Sequence, residues 1–387
     1  HNRDHQEASL VREWTQPQLL QANEAQRRVL SMILRQCKAL VEAEDPDSIE
    51  PLHMIIAGTA GTGKSFLLAI ATFIVQRIFQ SAHAVRVMAA SGSAADNVGG
   101  TTLHSMLGMG VGVGNEDVPC SSVLMKLQDR FKHTKMVAVD EMSLVGYRML
   151  GFISGRLGWA RERVGAPFGG IPIFLLLGDH GQLGPCDNSE TRLCDLSSQQ
   201  RTKPGQLGQQ LYRSLTSVVY LREMKRQSLL GAPCYACPPS FHAPGDLCTF
   251  FGDFMARLRF GEVNDSDLEW AKGRHLSRLS SQEKALFSDA KTLFLVPKRA
   301  DAHNLNLQRL QHFNQALQHS RGLQFAYCCP VRARDVGKLP KSIHDDVGGL
   351  PSFSVFCRGS PVTLCCNIVL PFRLFNSAVG TVVDFVF

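Results

Sequence analysis

Gly58-Thr59-Ala60-Gly61-Thr62-Gly63-Lys64-Ser65 is the stretch on which the fold turns. It fits the phosphate-loop pattern in full: a glycine, four residues, then Gly-Lys-Ser. The glycines let the backbone turn its N–H groups onto phosphate oxygens. The apolar segment His53–Ala57 precedes the loop and reads as a strand, and Phe66–Phe79 follows it and reads as a helix. A helix beginning there aims the positive end of its dipole at the same phosphates. In this context Lys64 would reach the outer phosphates and Ser65 would hold Mg²⁺. Gly58, Thr59, Ala60, Gly61, Thr62, Gly63, Lys64 and Ser65 together form the candidate nucleotide cradle.

Downstream, Met136–Val139 is an apolar strand ending at Asp140-Glu141. Asp140 suits the Mg²⁺ shell, and Glu141 suits activation of an attacking water. Ile171–Leu177 is a further strand, followed by Gly178-Asp179 and Gln182, and a glutamine there could sense the terminal phosphate. Val85–Ala89 reads as another strand. Strands alternating with helical stretches predict an α/β fold, with a parallel sheet and helices on both faces. The polar groups gather past the carboxyl ends of the strands, where such sheets place their ligands.

Elsewhere the reading is coarser. Residues 15–43 read as a helix, residues 108–122 as a surface loop, and residues 250–285 as helical. Asn188–Gly208 is polar and carries Gly and Pro, which suits a link between domains; Thr292–Val296 and Val382–Phe387 read as strands. A hydrophobic fraction of 44% can bury a core, which argues against wholesale disorder. The net charge of +7 permits a polyanionic partner without demanding one. The longest clean apolar run, Phe66–Val75, is about half of the roughly 20 residues a bilayer helix needs, so no membrane partner is expected. Twelve cysteines without a secretory signal read as free thiols. The chain begins at His1 rather than Met, which suggests a fragment or a processed N-terminus.

The order of motifs resembles the Pif-type DNA helicases, the 5′-to-3′ branch of helicase superfamily one, from about Gln26 to the end. Asn23-Glu24-Ala25-Gln26 resembles the family's adenine-reading segment, which makes Gln26 the candidate for base recognition. Ala90-Ser91-Gly92-Ser93 and Gly99-Gly100-Thr101-Thr102-Leu103-His104-Ser105 resemble its first DNA-contacting motifs, which implies DNA contacts at Ser91, Thr101, Thr102 and His104. For the hydroxyl residues, a helix cap or turn is the alternative reading. Asp140-Glu141-Met142-Ser143 resembles its Asp-Glu-Ile-Ser signature, and Gly178-Asp179-His180-Gly181-Gln182-Leu183 its third motif, with Gly184 in place of a family proline. Leu221-Arg222-Glu223-Met224-Lys225-Arg226-Gln227 resembles its fourth, in which Arg226 would act as an arginine finger. Asn367-Ile368 and Asn376–Val382 resemble the segment that re-enters the second motor domain.

The resemblance implies a first RecA-like domain with the phosphate loop over residues 1–210. A partial second RecA-like domain would occupy 211–387, interrupted by a Cys/Pro-rich insertion at 228–249. It further implies ATP and Mg²⁺ as cofactors, single-stranded DNA and forks as partners, a monomer, and a nuclear location with the mitochondrion as the alternative. Catalytic roles fall to Lys64, Glu141, Gln182 and Arg226. Two family motifs expected after Phe387 are not found, so this stretch alone is expected to bind ATP and single-stranded DNA weakly and to unwind little. Within the insertion, Cys234, Cys237, His242 and Cys248 lie one residue from zinc-knuckle spacing, with a plain loop insertion as the competing reading. The rival functions are a nucleic-acid-binding relic without a motor and the helicase domain of a mobile element.

Overall fold

The computed structural model describes residues 21–110, 119–187, 189–223, 250–287, 292–321, 325–328, 346–347, 350–351, 354–364, 374 and 378–384. They fall into two compact units, divided between Glu262 and Val263.

The first unit is built on six parallel strands: β1 (Leu52–Gly58), β2 (Val85–Ala89), β3 (Thr101–Thr102), β4 (Met136–Asp140), β5 (Ile173–Gly178) and β6 (Ser217–Leu221). Their spatial order is β3-β2-β4-β5-β1-β6. Every residue of β4 and β5 is buried, because helices cover both faces. Alternate residues of one strand therefore feed two separate cores. Val137, Val139, Phe174 and Leu176 enter one, and Met136, Ala138, Ile173, Leu175 and Leu177 enter the other.

The second of these cores is closed by α1 (Glu24–Glu42) and α2 (Lys64–Ile78), which contribute Val29, Leu30, Ile33, Leu67, Leu68 and Ile70. Asn23 starts α1 with a capping box, accepting from the Gln26 backbone N–H while the Gln26 side chain accepts from the Asn23 N–H. The helix expected over 15–43 thus runs from Glu24 to Glu42; residues 15–20 lie outside the described residues.

α3 (Gly92–Asn97) follows β2, and α4 (Leu103–Leu107) follows β3 and packs on the opposite face. They are joined by α5 (Ser121–Phe131), α6 (Tyr147–Ala160) and α7 (Lys203–Ser214). The loop expected over 108–122 ends where α5 begins at Ser121; residues 111–118 are outside the described set. A Cβ on Gly151 of α6 would meet the Pro204 carbonyl oxygen at 1.9 Å, and one on Gly208 of α7 would meet that of Tyr147 at 1.8 Å. The two helices cross at a separation that only glycine allows. Asn188–Gly208 is therefore not a link between domains, because its last part is a packed helix of the first unit. The domain boundary expected at residue 210 falls inside α7, and β6 beyond it pairs with β1. The first unit runs on through α8 (Phe250–Phe260).

In the second unit the described helices are α9 (Asp265–Gly273), α10 (Ser281–Leu286) and α11 (Arg299–Arg321). Short antiparallel pairs join Phe325–Cys328 to Ser354–Cys357 and Pro361–Thr363 to Val379–Thr381. Thr292–Val296 is not a strand: Leu293 and Leu295 are exposed, and no described segment pairs with it. Of the strand expected at Val382–Phe387, residues 385–387 lie outside the described residues and 382–384 are not strand; the described strand just before them is Val379–Thr381, and Val382 exchanges single bonds with Gly359 and Ser360. No described helix is long and apolar enough to cross a membrane.

Candidate nucleotide and DNA site

The phosphate loop joins β1 to α2. Gly63 adopts φ 84 and ψ 27, a left-handed conformation that glycine takes without strain, and so starts α2 at Lys64. Thr62 is fully buried, and its hydroxyl donates to the Thr59 carbonyl at 2.8 Å, holding the arch of the loop. A Cβ on Gly58 would press within 2.6 Å of that hydroxyl, so the loop has no room for a larger residue there. The Lys64 ammonium reaches back across the loop to the carbonyl oxygens of Gly58 at 2.7 Å and Thr59 at 3.1 Å. Those bonds bring a cation over the loop's mouth, where outer phosphates would sit.

Gln26 is 1% exposed, and its Nε2 donates to the carbonyls of Thr62 at 3.3 Å and Gly63 at 3.4 Å. With Oε1 already engaged in the capping box, the side chain ties the start of α1 to the turn that launches α2. The residue expected to read the base thus lies against the loop, with its amide bonded to the protein.

β5 lies between β1 and β4, which puts the phosphate loop and the Asp140-Glu141 pair two strand spacings apart, about 10 Å. Asp179, directly after β5, sits between them. Asp140 is 6% exposed and accepts the Glu141 N–H at 2.9 Å. Burial raises its carboxyl above the ordinary range, while the Glu141 N–H and the Lys64 charge oppose the rise. Glu141 is likewise raised, by burial first and then by the Asp140 charge, with Lys64 opposing. Asp179 is 4% exposed; burial pushes it up, but Arg259 and the Gly181 N–H outweigh that and hold it below the usual range. Lys64 acts on all three carboxylates, so the four groups share one field at one sheet edge. Gln182 is half-buried in the turn after Asp179, its N–H bonded to the Asp179 carbonyl at 3.0 Å. Ser65 and Asp140 supply hard oxygen donors of the kind Mg²⁺ takes while keeping much of its water.

The candidate DNA residues lie on the same edge, toward its other end. Ser91 follows β2 and caps α3, its hydroxyl accepting from the Ala94 N–H at 3.2 Å. Thr102 ends β3 and caps α4, accepting from the Ser105 N–H at 3.3 Å. Each cap uses a lone pair and leaves the hydroxyl proton able to donate to a phosphate. The Thr101 hydroxyl is buried without a hydrogen-bond partner, and His104 is half-buried in α4. β2 stands three strand spacings from β1 and β3 four, so these groups lie about 14 to 19 Å from the phosphate loop along one edge.

Arg226 and the quartet Cys234, Cys237, His242 and Cys248 lie outside the described residues, among which no metal-binding cluster of three or more His, Cys, Asp or Glu occurs. The sequence reading missed Arg259, whose guanidinium binds both carboxylate oxygens of Asp179. An arginine on an amphipathic helix reads as a solvated charge, and no local pattern marks this one. It also missed His180 Nε2, which bonds the Tyr212 hydroxyl at 2.8 Å and so joins the turn after β5 to α7.

Residues 22–204 match a family model described as PIF1-like helicase. The ATP-dependent DNA helicase PIF1 of Emericella nidulans is 26% identical over 343 residues, which cover 86% of this chain and 39% of that protein. A crystal structure of the Pif1 helicase from Candida albicans superposes with a TM-score of 0.57 at 21% identity, covering 94% of this chain and 69% of that one. The Bacteroides Pif1 helicase in complex with ADP-AlF3 and ssDNA gives a TM-score of 0.54 at 18% identity, covering 94% of this chain and 70% of that one. At such identities the solved structures speak to the fold, that of a P-loop NTPase with a RecA-like sheet. The chain spans from 15% to 39% of the length of the first curated relatives it matches. Residues 22–204, which hold the phosphate loop, both carboxylate strands and the candidate DNA edge, are thus similar to the PIF1-like helicases.

Proposed function

We propose that the protein is an ATP-driven motor that translocates 5′ to 3′ on single-stranded DNA and separates duplexes ahead of it. The observation that carries this reading is the common field of Lys64, Asp140, Glu141 and Asp179 at the edge that also bears Ser91, Thr101, Thr102 and His104. In this reading the loop amides and Lys64 bind the outer phosphates of ATP, and Glu141 takes the proton of the attacking water. Gln182 is placed to respond to the terminal phosphate. Ser65 and Asp140 would hold Mg²⁺, which supplies charge neutralisation at the phosphates. Arg226 would complete the charge as an arginine finger. The Ser91 and Thr102 hydroxyls, at the β2 and β3 ends, grip the DNA backbone, which suits a motor that must step without reading sequence, whereas the buried Thr101 hydroxyl does not reach it.

The same reading takes the protein to be monomeric and nuclear, with the mitochondrion as the alternative, and to serve DNA repair, recombination and telomere maintenance. The direction of movement is tested by strand separation with the full-length protein on duplexes carrying either a 5′ or a 3′ single-stranded tail. ATP-dependent unwinding of the 5′-tailed substrate alone is expected. Preference for the 3′ tail, or no unwinding of either, would contradict the motor as proposed.

A further inference from the structure

We propose that Arg259 is a positioning residue for ATP hydrolysis, bracing Asp179 and, through the turn that Asp179 organises, Gln182. The proposal rests on the ATPase reading above and adds to it a residue outside the motifs that led to it.

Asp179 directly follows the strand that separates the phosphate loop from the Asp140-Glu141 pair. A carboxylate so deeply buried at that place needs compensation, because it adds a third negative charge beside Asp140 and Glu141 where phosphates must also be received. Arg259 supplies it with both arms: Nη1 donates to Asp179 Oδ2 and Nη2 to Oδ1. The planar fork fixes the orientation of the carboxylate as well as its charge, which an ammonium could not do.

The carboxylate in turn shapes the turn that follows. Oδ1 accepts the Gly181 N–H at 3.0 Å, and the Asp179 carbonyl accepts the Gln182 N–H at 3.0 Å. The guanidinium lies so close over Gly181 that a Cβ there would be 2.3 Å from the Arg259 Cζ. The backbone from Asp179 to Gln182 is therefore clamped between its own carboxylate and the arginine. Arg259 belongs to α8, the first described helix after the segment that holds Arg226, and its guanidinium also lies over the Phe260 ring at 5.6 Å. The brace thus anchors the chain leaving that segment to the edge that carries the catalytic groups.

A brace of this kind predicts loss of turnover without loss of binding. In single-stranded-DNA-stimulated ATP hydrolysis by the full-length protein on an oligothymidine probe, Arg259→Met should lower kcat about tenfold while KM for ATP stays within about twofold. Asp179→Asn should do the same. The double variant should be no slower than the slower single variant, because both changes remove one interaction. Arg259→Lys, which keeps the charge and loses the fork, should fall between Arg259→Met and the wild type, and it keeps the test open if Arg259→Met does not fold. A kcat for Arg259→Met within twofold of wild type would overturn the proposal, as would losses that multiply in the double variant. Absence of DNA-stimulated turnover in the wild type would instead sink the ATPase reading on which the brace rests.

Discussion

Glu141 sits at φ 57 and ψ 51, a left-handed conformation that costs a residue with a side chain about 1–3 kcal/mol. The strain is met locally by its N–H bond to Asp140, and it turns the chain sharply at the end of β4. A carboxylate held this way, with burial and Asp140 both raising its proton affinity, suits a general base. Glu141→Gln should leave ATP binding within a few-fold of wild type and lower kcat by about a hundredfold. Equilibrium titration with a fluorescent ATP analogue and steady-state turnover check it, and near-normal turnover would remove Glu141 from the role. At this scale the candidate residues stand out by local signals: Lys64 and Ser65 follow a glycine pattern, and Asp140-Glu141 follow an apolar strand. Gln26 stands out as a candidate by its motif, but its bonds to Thr62 and Gly63 were not legible, since they join segments 36 and 37 residues apart. Arg259 and Asp179 are 80 residues apart, and nothing in either neighbourhood announces the other.

At the scale of elements, strands buried on both faces were the easiest to read. Met136–Val139 and Ile173–Leu177 are short apolar runs because helices cover both sides of the sheet. The reading failed where a run of similar composition has no partner, as at Thr292–Val296, because a strand is made by pairing and not by composition. It failed again at Asn188–Gly208, where glycines that look like linker residues are contact points between α6 and α7.

That same region carries a testable electrostatic feature. Glu190 accepts the Arg148 N–H at 3.1 Å near the start of α6, and burial pushes its carboxyl up to about 7. The Met149 and Arg148 N–H groups and the Arg148 charge oppose that rise, and Asp187 adds to it. The folded value lies above the unfolded one, so between the ordinary carboxylate range and about 7 the folded state holds a proton that the unfolded state has lost. Its stabilising contribution is full at acid pH and is lost as pH rises through about 7. Glu190→Gln should therefore gain melting temperature relative to wild type on going from pH 5 to pH 8. A difference that does not change with pH would show that Glu190 titrates normally.

On the scale of the whole molecule, one parallel sheet carries two sets of groups along one edge. Nucleotide candidates lie at β1, β5 and β4, and DNA candidates lie at β2 and β3. Because the strands between them are rigidly packed on both faces, a change at one end of the edge has a stiff path to the other. In the first unit, four of the six strands and the first two helices were legible from the sequence; β3, β6, the helices α3 to α7 and the limit at Glu262 were not, since β6 rejoins the sheet only after α7 has been packed. In the proposed motor, the phosphate loop hydrolyses ATP in response to DNA bound along the same sheet edge. The most direct test is the ATPase rate of the full-length protein with and without single-stranded oligothymidine, for wild type and Lys64→Ala. At least about tenfold stimulation by DNA is expected in wild type, and a rate near background with or without DNA in Lys64→Ala. Hydrolysis that ignores DNA, or that survives loss of Lys64, would contradict it.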